Sequence, residues 1–469
     1  MTQRLTKSDF MSYLHCPKSL WLSRHKPGAI PSAPTSAHTQ MIFDQGYEIE
    51  AAIDAWLIRL GYVSQVVFEH PDGAYVRSDL VRHHDDGSLD LVEVKGGLSA
   101  KDEHLHDLGF QANVAQMLGH KIRSMQVAHL NPDHRMGNTS PQFVLTDVTD
   151  QVRPLIPDIK NQTKLALELL NQSQIDENGC TCLALSQGNH CASFAYFNPD
   201  VPDPSIYTLP NMRQPRIAGF VESGRFDLDQ IQMDEVSTSQ KKVLHAFQTK
   251  QPFVDLDYIN AFIADMTYPL YFYDYEAYAT PMPTLQGTKP YQQIPFQFSL
   301  HVLDADGRLT HHEYLAQDWE LPAGLIEALQ QVIGPSGTLV SWHKSYENKR
   351  NEEMADLYPQ YAAFLDDITQ RTVDLEDIFK HGYVEAGFNG SSSIKYVLPT
   401  LAPDLTYDDL AVNNGTAAMV AFADMLDMPQ GSDRDKLRTE LLNYCKLDSL
   451  AMVRLFQEIT QIQGVKISL

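Results

Sequence analysis

A chain of 469 residues is too long for one ordinary domain, so two or three are expected. Its 43% hydrophobic and 20% charged residues suit a globular protein with real cores, and the lack of any run of about 18 apolar residues argues against a membrane span. A formal net charge of −24 argues against capture of nucleic acid by bulk attraction, leaving local charge and bound cations to do that work. The opening MTQRLTKSDF lacks the apolar core of a signal peptide, so the expected location is the cytoplasm.

In chain order, a helix is expected over Ser8 to Arg24. Around it Arg4, Lys7, Lys18, Arg24 and Lys26 stand against one acid, Asp9, with Phe10, Tyr13 and Trp21 interleaved. Such a segment either contacts phosphates and stacks bases or is an amphipathic helix with solvated lysines. A loop rich in Pro, Ser and Thr follows, then a helix near residues 45–61. The runs AYVRSDLVRHH and SLDLVEVK are strand-like and joined by Asp85-Asp86-Gly87, a hairpin signal. A helix over about 101–119 and strands at VAHLNP and FVLTDVT complete this half. Residues 198–216 are proline-rich and aperiodic, as a linker would be, and 217–266 read as a small helical connector. Beyond it, PLYFYDYEAY, PFQFSLHVLD and THHEYLA, then a helix and GTLVSW, give strand-strand-strand-helix-strand order, the opening of an RNase H-like fold.

Glu93 and Lys95 are two apart on a strand and share a face. A hairpin pivoting near Asp86 sets Asp79 opposite Glu93, and two converging carboxylates suit magnesium or manganese. A lysine beside them can orient water and steady charge on a phosphate, although Glu-X-Lys on a strand also occurs as a solvated surface pair. The run RSDLVRHHDDGSLDLVEVKGG with HLHDLGFQANVAQMLGH resembles the RecB-type branch of the PD-(D/E)XK nucleases over roughly residues 5–195. That resemblance implies an active site of Asp79, Glu93, Lys95 and Gln111, with Glu50, after Gly46, as a weaker match for a further metal ligand.

Cys16 before this core and Cys180, Cys182 and Cys191 after it have the order of the iron–sulfur members of that branch, the CRISPR-associated adaptation exonucleases among them. The resemblance implies a [4Fe–4S] cluster. The spacing C-x-C-x8-C departs from the C-x2-C-x5-C of those relatives, and zinc accepts the same four ligands, with His190 able to replace one. Three loop cysteines without a metal are the plainer alternative. Cys445 reads as a core residue.

Asp274 and Glu276 share one face of an apolar strand, where two acids are costly without a cation. Tyr444 and Asp448 are four apart on a helix and share its face. The set resembles the DnaQ-like DEDD exonucleases, which implies metal ligation by Asp274, Glu276, Glu347 and Asp448 and water orientation by Tyr444. WHKSYE departs from that family's middle motif, supplying His343, Tyr346 and Glu347 where relatives have Asn, Phe and Asp. Asp374 and Lys395 are further candidates, better explained as a helix cap or surface charge and a helix-start lysine. With PYQQIPFQFSLH, SWHKSYENKRNEEMA, SSSIKYVLP and YCKLDSLAMV, the chain resembles the bacterial family of domain-of-unknown-function 2779.

The expected protein is α/β: a restriction-endonuclease-like PD-(D/E)XK domain over 1–197, a linker and connector over 198–266, and an RNase H-like mixed-sheet domain over 267–469. The expected activity is metal-dependent cleavage of DNA or RNA, from single-stranded ends, in repair, CRISPR-type immunity or phage defence. The alternatives are one active module beside one that only grips nucleic acid, and a non-enzymatic scaffold for a helicase or other defence partner.

Overall fold

The computed structural model describes residues 3–30 and 35–462; residues 31–34 of the expected Pro, Ser and Thr loop lie outside them. The protein is α/β with mixed sheets, and the chain forms two compact units. The first holds the described residues up to Pro202, Met212–Gly224 and Thr280–Tyr291; the second holds Asp203–Asn211, Arg225–Ala279 and the described chain from Gln292 onward.

The first unit opens with α1 (Lys7–His15) and α2 (Pro17–His25), where one helix was expected. Pro17 has no N–H to donate and forces Cys16 into an extended conformation, φ −154° and ψ 103°, so the helix breaks there and restarts with proline at its first position. Thr6 and Asp9 cap α1 reciprocally, and Asp9 also holds Arg24 of α2. Phe10, Tyr13 and Trp21 are 0%, 8% and 1% exposed, so they cannot stack bases. The basic residues bind their own unit, Arg4 on Glu69, Lys7 on Glu93 and Lys26 on Glu177. Apolar burial thus removes the three aromatics from any base-stacking surface, while Arg4, Arg24 and Lys26 keep partly exposed side chains in their ion pairs.

Next come α3 (Ala37–Ile58), β1 (Val63–Glu69), β2 (Tyr75–His83), β3 (Ser88–Val94), α4 (Asp102–Met117), β4 (Lys121–Leu130), β5 (Phe143–Asp147), α5 (Thr149–Val152), α6 (Ile156–Leu170), α7 (Phe194–Phe197) and α8 (Gln214–Glu222). The sheet runs β1-β2-β3-β4-β5, antiparallel except for β3 and β4, which α4 links as a parallel pair. Leu80 pairs with Val92 and Val81 with Leu91, the register expected of a hairpin turning at Asp86. Strand alternation sends Leu89, Leu91, Met125 and Val127 to one core, with Phe10 and Phe110, and Leu80, Val92 and Leu130 to another, with Ile49, Ile53 and Leu57 of α3.

The second unit holds α9 (Thr238–Thr249), β6 (Phe253–Val254), α10 (Leu256–Ala264), β7 (Leu270–Tyr278), β8 (Ile294–Leu303), β9 (Leu309–Leu315), α11 (Ala323–Val332), β10 (Thr338–Ser341), α12 (Ser345–Leu357), α13 (Ala362–Arg371), β11 (Thr372–Asp374), β12 (Tyr383–Val384), α14 (Ile394–Leu401), α15 (Gly415–Asp427) and α16 (Ser432–Ile462). Its main sheet runs β11-β10-β7-β8-β9, with β7, β8 and β9 antiparallel and β10 and β11 parallel to β7 and to each other. Tyr271, Tyr273 and Tyr275 point to a core with α11, and Leu270 and Phe272 point to a core with Ala451, Leu455 and Phe456 of α16. The even-numbered residues of β7 up to Glu276, where the strand is bulged, therefore face α16.

Phe10 stacks on Phe110 with ring centroids 4.5 Å apart and is fully buried. Phe10→Ala should destabilise the first unit by about 3–5 kcal/mol, read from denaturant unfolding; a loss under about 1 kcal/mol would contradict this packing.

Candidate functional sites

In the first unit the hairpin register and α4 bring Asp79, Glu93, Lys95 and Gln111 together. Asp79 accepts from Val94 N at 2.8 Å, and the Gln111 amide donates to Glu93 while its own oxygen accepts from Ser78 at 2.7 Å. Lys95 Nζ lies 2.9 Å from Glu93 and 2.7 Å from Asp107. Lys7, from α1, ion-pairs with Glu93 as well. Burial would raise the Glu93 carboxyl, but Lys7 and Lys95 outweigh it and hold it below its usual value. Asp79, with fewer cations against it, is pushed up to about 7 by burial and by the charge of Glu93. Glu50 accepts from Gln65 at 2.7 Å, where it serves α3 and β1. Among the described residues, no group of three metal-ligating side chains includes Glu50, Asp79 or Glu93. Lysines neutralise Glu93, and Gln65 holds Glu50.

The four cysteines are gathered by the break between α1 and α2 and by the turns before α7. Cys16, Cys180, Cys182 and Cys191 are buried, and their sulfurs all lie within 4.8 Å of one another. They are not disulfide-bonded, and four soft thiol donors this close fit a metal. Hydrogen bonds from Cys16 and Cys191 hold Cys180 well below the usual thiol range, while the bond to Cys180 pushes Cys16 up to about 11. His190 stacks on Phe194 at 3.6 Å and stands outside the sulfur group.

In the second unit Asp274 and Glu276 on β7 meet Asp448 on α16, and one oxygen from each lies within 4.8 Å of the others. Tyr407 donates to Asp448 at 2.6 Å. The Tyr444 hydroxyl faces Glu276 and Asp448 and favours their charged forms. Glu347, at the start of α12, stands beside this trio rather than within it, 2% exposed, with Oε2 lacking a hydrogen-bond partner. A buried carboxylate oxygen left bare beside three acids fits a cation. His343, at φ +63°, turns its ring to Glu376 instead, 3.2 Å away. Asp374 caps the turn into α12, accepting from His343 N at 2.9 Å and Lys344 N at 3.1 Å, and Lys395 is an exposed residue of the first turn of α14. Cys445, buried as expected, lies with its sulfur 3.8 Å from Asp274.

Residues 271–393 match the family described as Domain of unknown function (DUF2779). That stretch contains Asp274, Glu276 and Glu347, whereas Tyr407, Tyr444 and Asp448 lie beyond it. No curated protein matches the chain. Among solved structures, one titled "Crystal structure of SSO0001" is similar at 12% identity, over 41% of this chain and 89% of that one, with a TM-score of 0.26, too low to establish a shared fold.

Sequence reasoning missed Lys7, Asp107, Ser78 and Tyr407. Lys7 comes from a distant helix and Tyr407 from an irregular segment, so no period in the sequence pointed to them, and Ser78, although it adjoins Asp79 on β2, faces away from it in strand alternation. Asp107 alone had a usable signal, since it lies four before Gln111 on the same helix face.

In the second unit burial is the largest influence on each acid of this site. It raises Asp274 and Glu276 well above the usual carboxylate range, together with the charges of their neighbours. It pushes Glu347 up to about 8, and Asp448 up to about 6 against the opposing bonds from Tyr407 and Tyr444. Such acids stay protonated in the folded state where the unfolded chain has already released its protons. The folded state then binds more protons, so its stability falls as pH rises from about 4 to about 8. Metal-free protein should melt at a higher temperature near about pH 5 than near about pH 8, and magnesium or manganese should stabilise it more at the higher pH. Calorimetry checks this; a melting temperature that climbs with pH in EDTA would contradict it.

Proposed function

We propose that this protein is a divalent-metal-dependent nuclease that hydrolyses phosphodiester bonds of DNA or RNA from single-stranded ends. The carrying observation is the trio Asp274, Glu276 and Asp448, joined from a strand and a distant helix, with the bare oxygen of Glu347 beside it. The strand order β11-β10-β7-β8-β9 supports an RNase H-like reading of the second unit and, with Tyr444 four before Asp448, a DEDD exonuclease site. The register of Asp79 and Glu93 with Lys95 and Gln111 supports a RecB-type PD-(D/E)XK reading of the first. No described helix is long and apolar enough to cross a membrane, which accords with a cytoplasmic role in repair or defence beside a helicase or similar partner.

Asp274, Glu276 and Asp448 would hold the magnesium or manganese, with Glu347 as the adjacent oxygen donor. When bound, such ions activate water and neutralise charge on the phosphate and leaving oxygen. Tyr444 orients the attacking water through its hydroxyl. In the first unit Asp79 and Glu93 would hold a cation, Gln111 fixes the Glu93 carboxylate, and Lys95, a donor only, steadies the phosphate. A second reading, in which the first unit only grips nucleic acid, is favoured by Lys7 standing on Glu93 in a cation's place.

End-labelled DNA and RNA strands incubated with magnesium, manganese or EDTA test the reading. Cleavage should need metal, and Asp274→Asn should remove the second unit's share almost completely, while Tyr444→Phe should cost about 10–100-fold. Cleavage left after Asp274→Asn should vanish with Lys95→Ala. If Asp274→Asn alone abolishes all cleavage, the first unit is a grip; if no strand is cut under any condition, the nuclease reading fails.

For the cysteines, sulfurs within 4.8 Å of one another favour a single tetrahedral zinc over a [4Fe–4S] cluster. Zinc–sulfur bonds of about 2.3 Å set the sulfurs about 3.8 Å apart, whereas a cluster seats each thiolate on a different iron and spreads them. Anaerobically purified protein should carry about one zinc in this site, and Cys16→Ser should lose metal and stability together, because that ligand closes a long loop. Brown protein with iron and broad absorption near about 400 nm would identify the cluster instead.

A further inference from the structure

The chain between β7 and β8 leaves the second unit, since Thr280–Tyr291 belongs to the first. Tyr291 N donates to Thr280 O at 2.8 Å, which closes the segment at its base. Met136 N donates to Thr288 O and Gly287 N to Met136 O, both at 2.9 Å. Gln286 fills the space beside Gly137, where an added Cβ would come within 1.9 Å of its amide nitrogen. Met282 packs on the apolar cluster of Ile49, Ile53, Val92 and Leu130. The segment is thus fastened along its length.

At its end, Tyr291 Oη donates to Gly96 O at 2.6 Å. Gly96 directly follows Lys95, in a pair of glycines whose backbone is free to move unless held. Two anchors come from the neighbouring strand: Lys95 N donates to Ala128 O at 2.9 Å, and Leu130 N to Gly97 O at 3.1 Å. Tyr291 supplies the anchor between them. The space at position 96 is closed too, because a Cβ there would meet Ile49 at 3.1 Å and the Tyr291 hydroxyl at 3.4 Å. Tyr291 itself sits at φ +57°, a conformation a bulky residue keeps only where its surroundings impose it.

We propose that Tyr291 is a positioning residue of the first unit's site. By holding the Gly96 carbonyl it fixes the backbone from which Lys95 reaches Glu93 and Asp107, and Thr280–Tyr291 is the strap that delivers it. The role in catalysis rests on the nuclease reading of that site; the fastening of the loop does not.

The test uses the full chain carrying Asp274→Asn, so that cleavage reports the first unit. Adding Tyr291→Phe should lower kcat about tenfold, the scale of one hydrogen bond lost from an aligned group, with KM and manganese affinity unchanged. Amide exchange in the peptide spanning Lys95–Leu98 should quicken about tenfold in the same variant. Unchanged kcat and unchanged exchange overturn the inference, and so does a fall in kcat accompanied by lost metal affinity and a collapsed melting temperature, which marks general unfolding. Cleavage that survives Lys95→Ala refutes the nuclease reading of this site, and the exchange result then still decides whether Tyr291 holds the loop.

Discussion

Carboxylates held close together away from water repel one another, and each loses hydration that its charged form needs. In the second unit this cost falls on Asp274, Glu276, Asp448 and Glu347 together, and the surrounding architecture serves to keep them there. The alternation of β7 gives Tyr271, Tyr273 and Tyr275 to one core and its acids to the face covered by α16. The apolar residues of α16, Ala451, Leu455 and Phe456, lock the helix on that face and commit Asp448 to the same place. Packing energy from the two cores offsets the repulsion, and Tyr407 and Tyr444 donate hydrogen bonds that relieve Asp448.

The first unit answers the same problem with cations of its own. Glu93 is buried as deeply as any acid in the chain, yet Lys7 and Lys95 keep it ionised. The difference has a chemical consequence. A trio with no lysine or arginine ion-paired to it among the described residues invites a divalent ion, whereas a lysine-paired carboxylate must release an ammonium before an ion can enter. The two sites are therefore expected to differ in metal affinity even though both are built from acids on a strand.

The break in the N-terminal helix carries two effects from one residue. Pro17 ends α1, and the extended residue it requires is Cys16, which thereby leaves the helical path and joins Cys180, Cys182 and Cys191. The same turn lets α2 pack Trp21 beside the sulfur group, in a cluster with Leu22 and Phe197. The aromatic residues that look like base-stacking groups in the sequence are buried instead, and fix this segment to its own unit.

Local periodicity determined much of this protein. The turn at Asp86 set the hairpin register, a spacing of two placed Glu93 with Lys95 and Asp274 with Glu276 on shared faces, and a spacing of four did the same for Tyr444 and Asp448. These follow from strand and helix geometry, which any short stretch of sequence carries within itself. Tertiary packing decided the rest: that Lys7 would lie on Glu93, 86 positions away, that Tyr407 would reach Asp448 from an irregular segment, that Glu347 would stop beside the trio, and that a loop between two strands of the second unit would fasten Gly96. Such partners are chosen by which surfaces bury together, and no spacing along the chain encodes that choice.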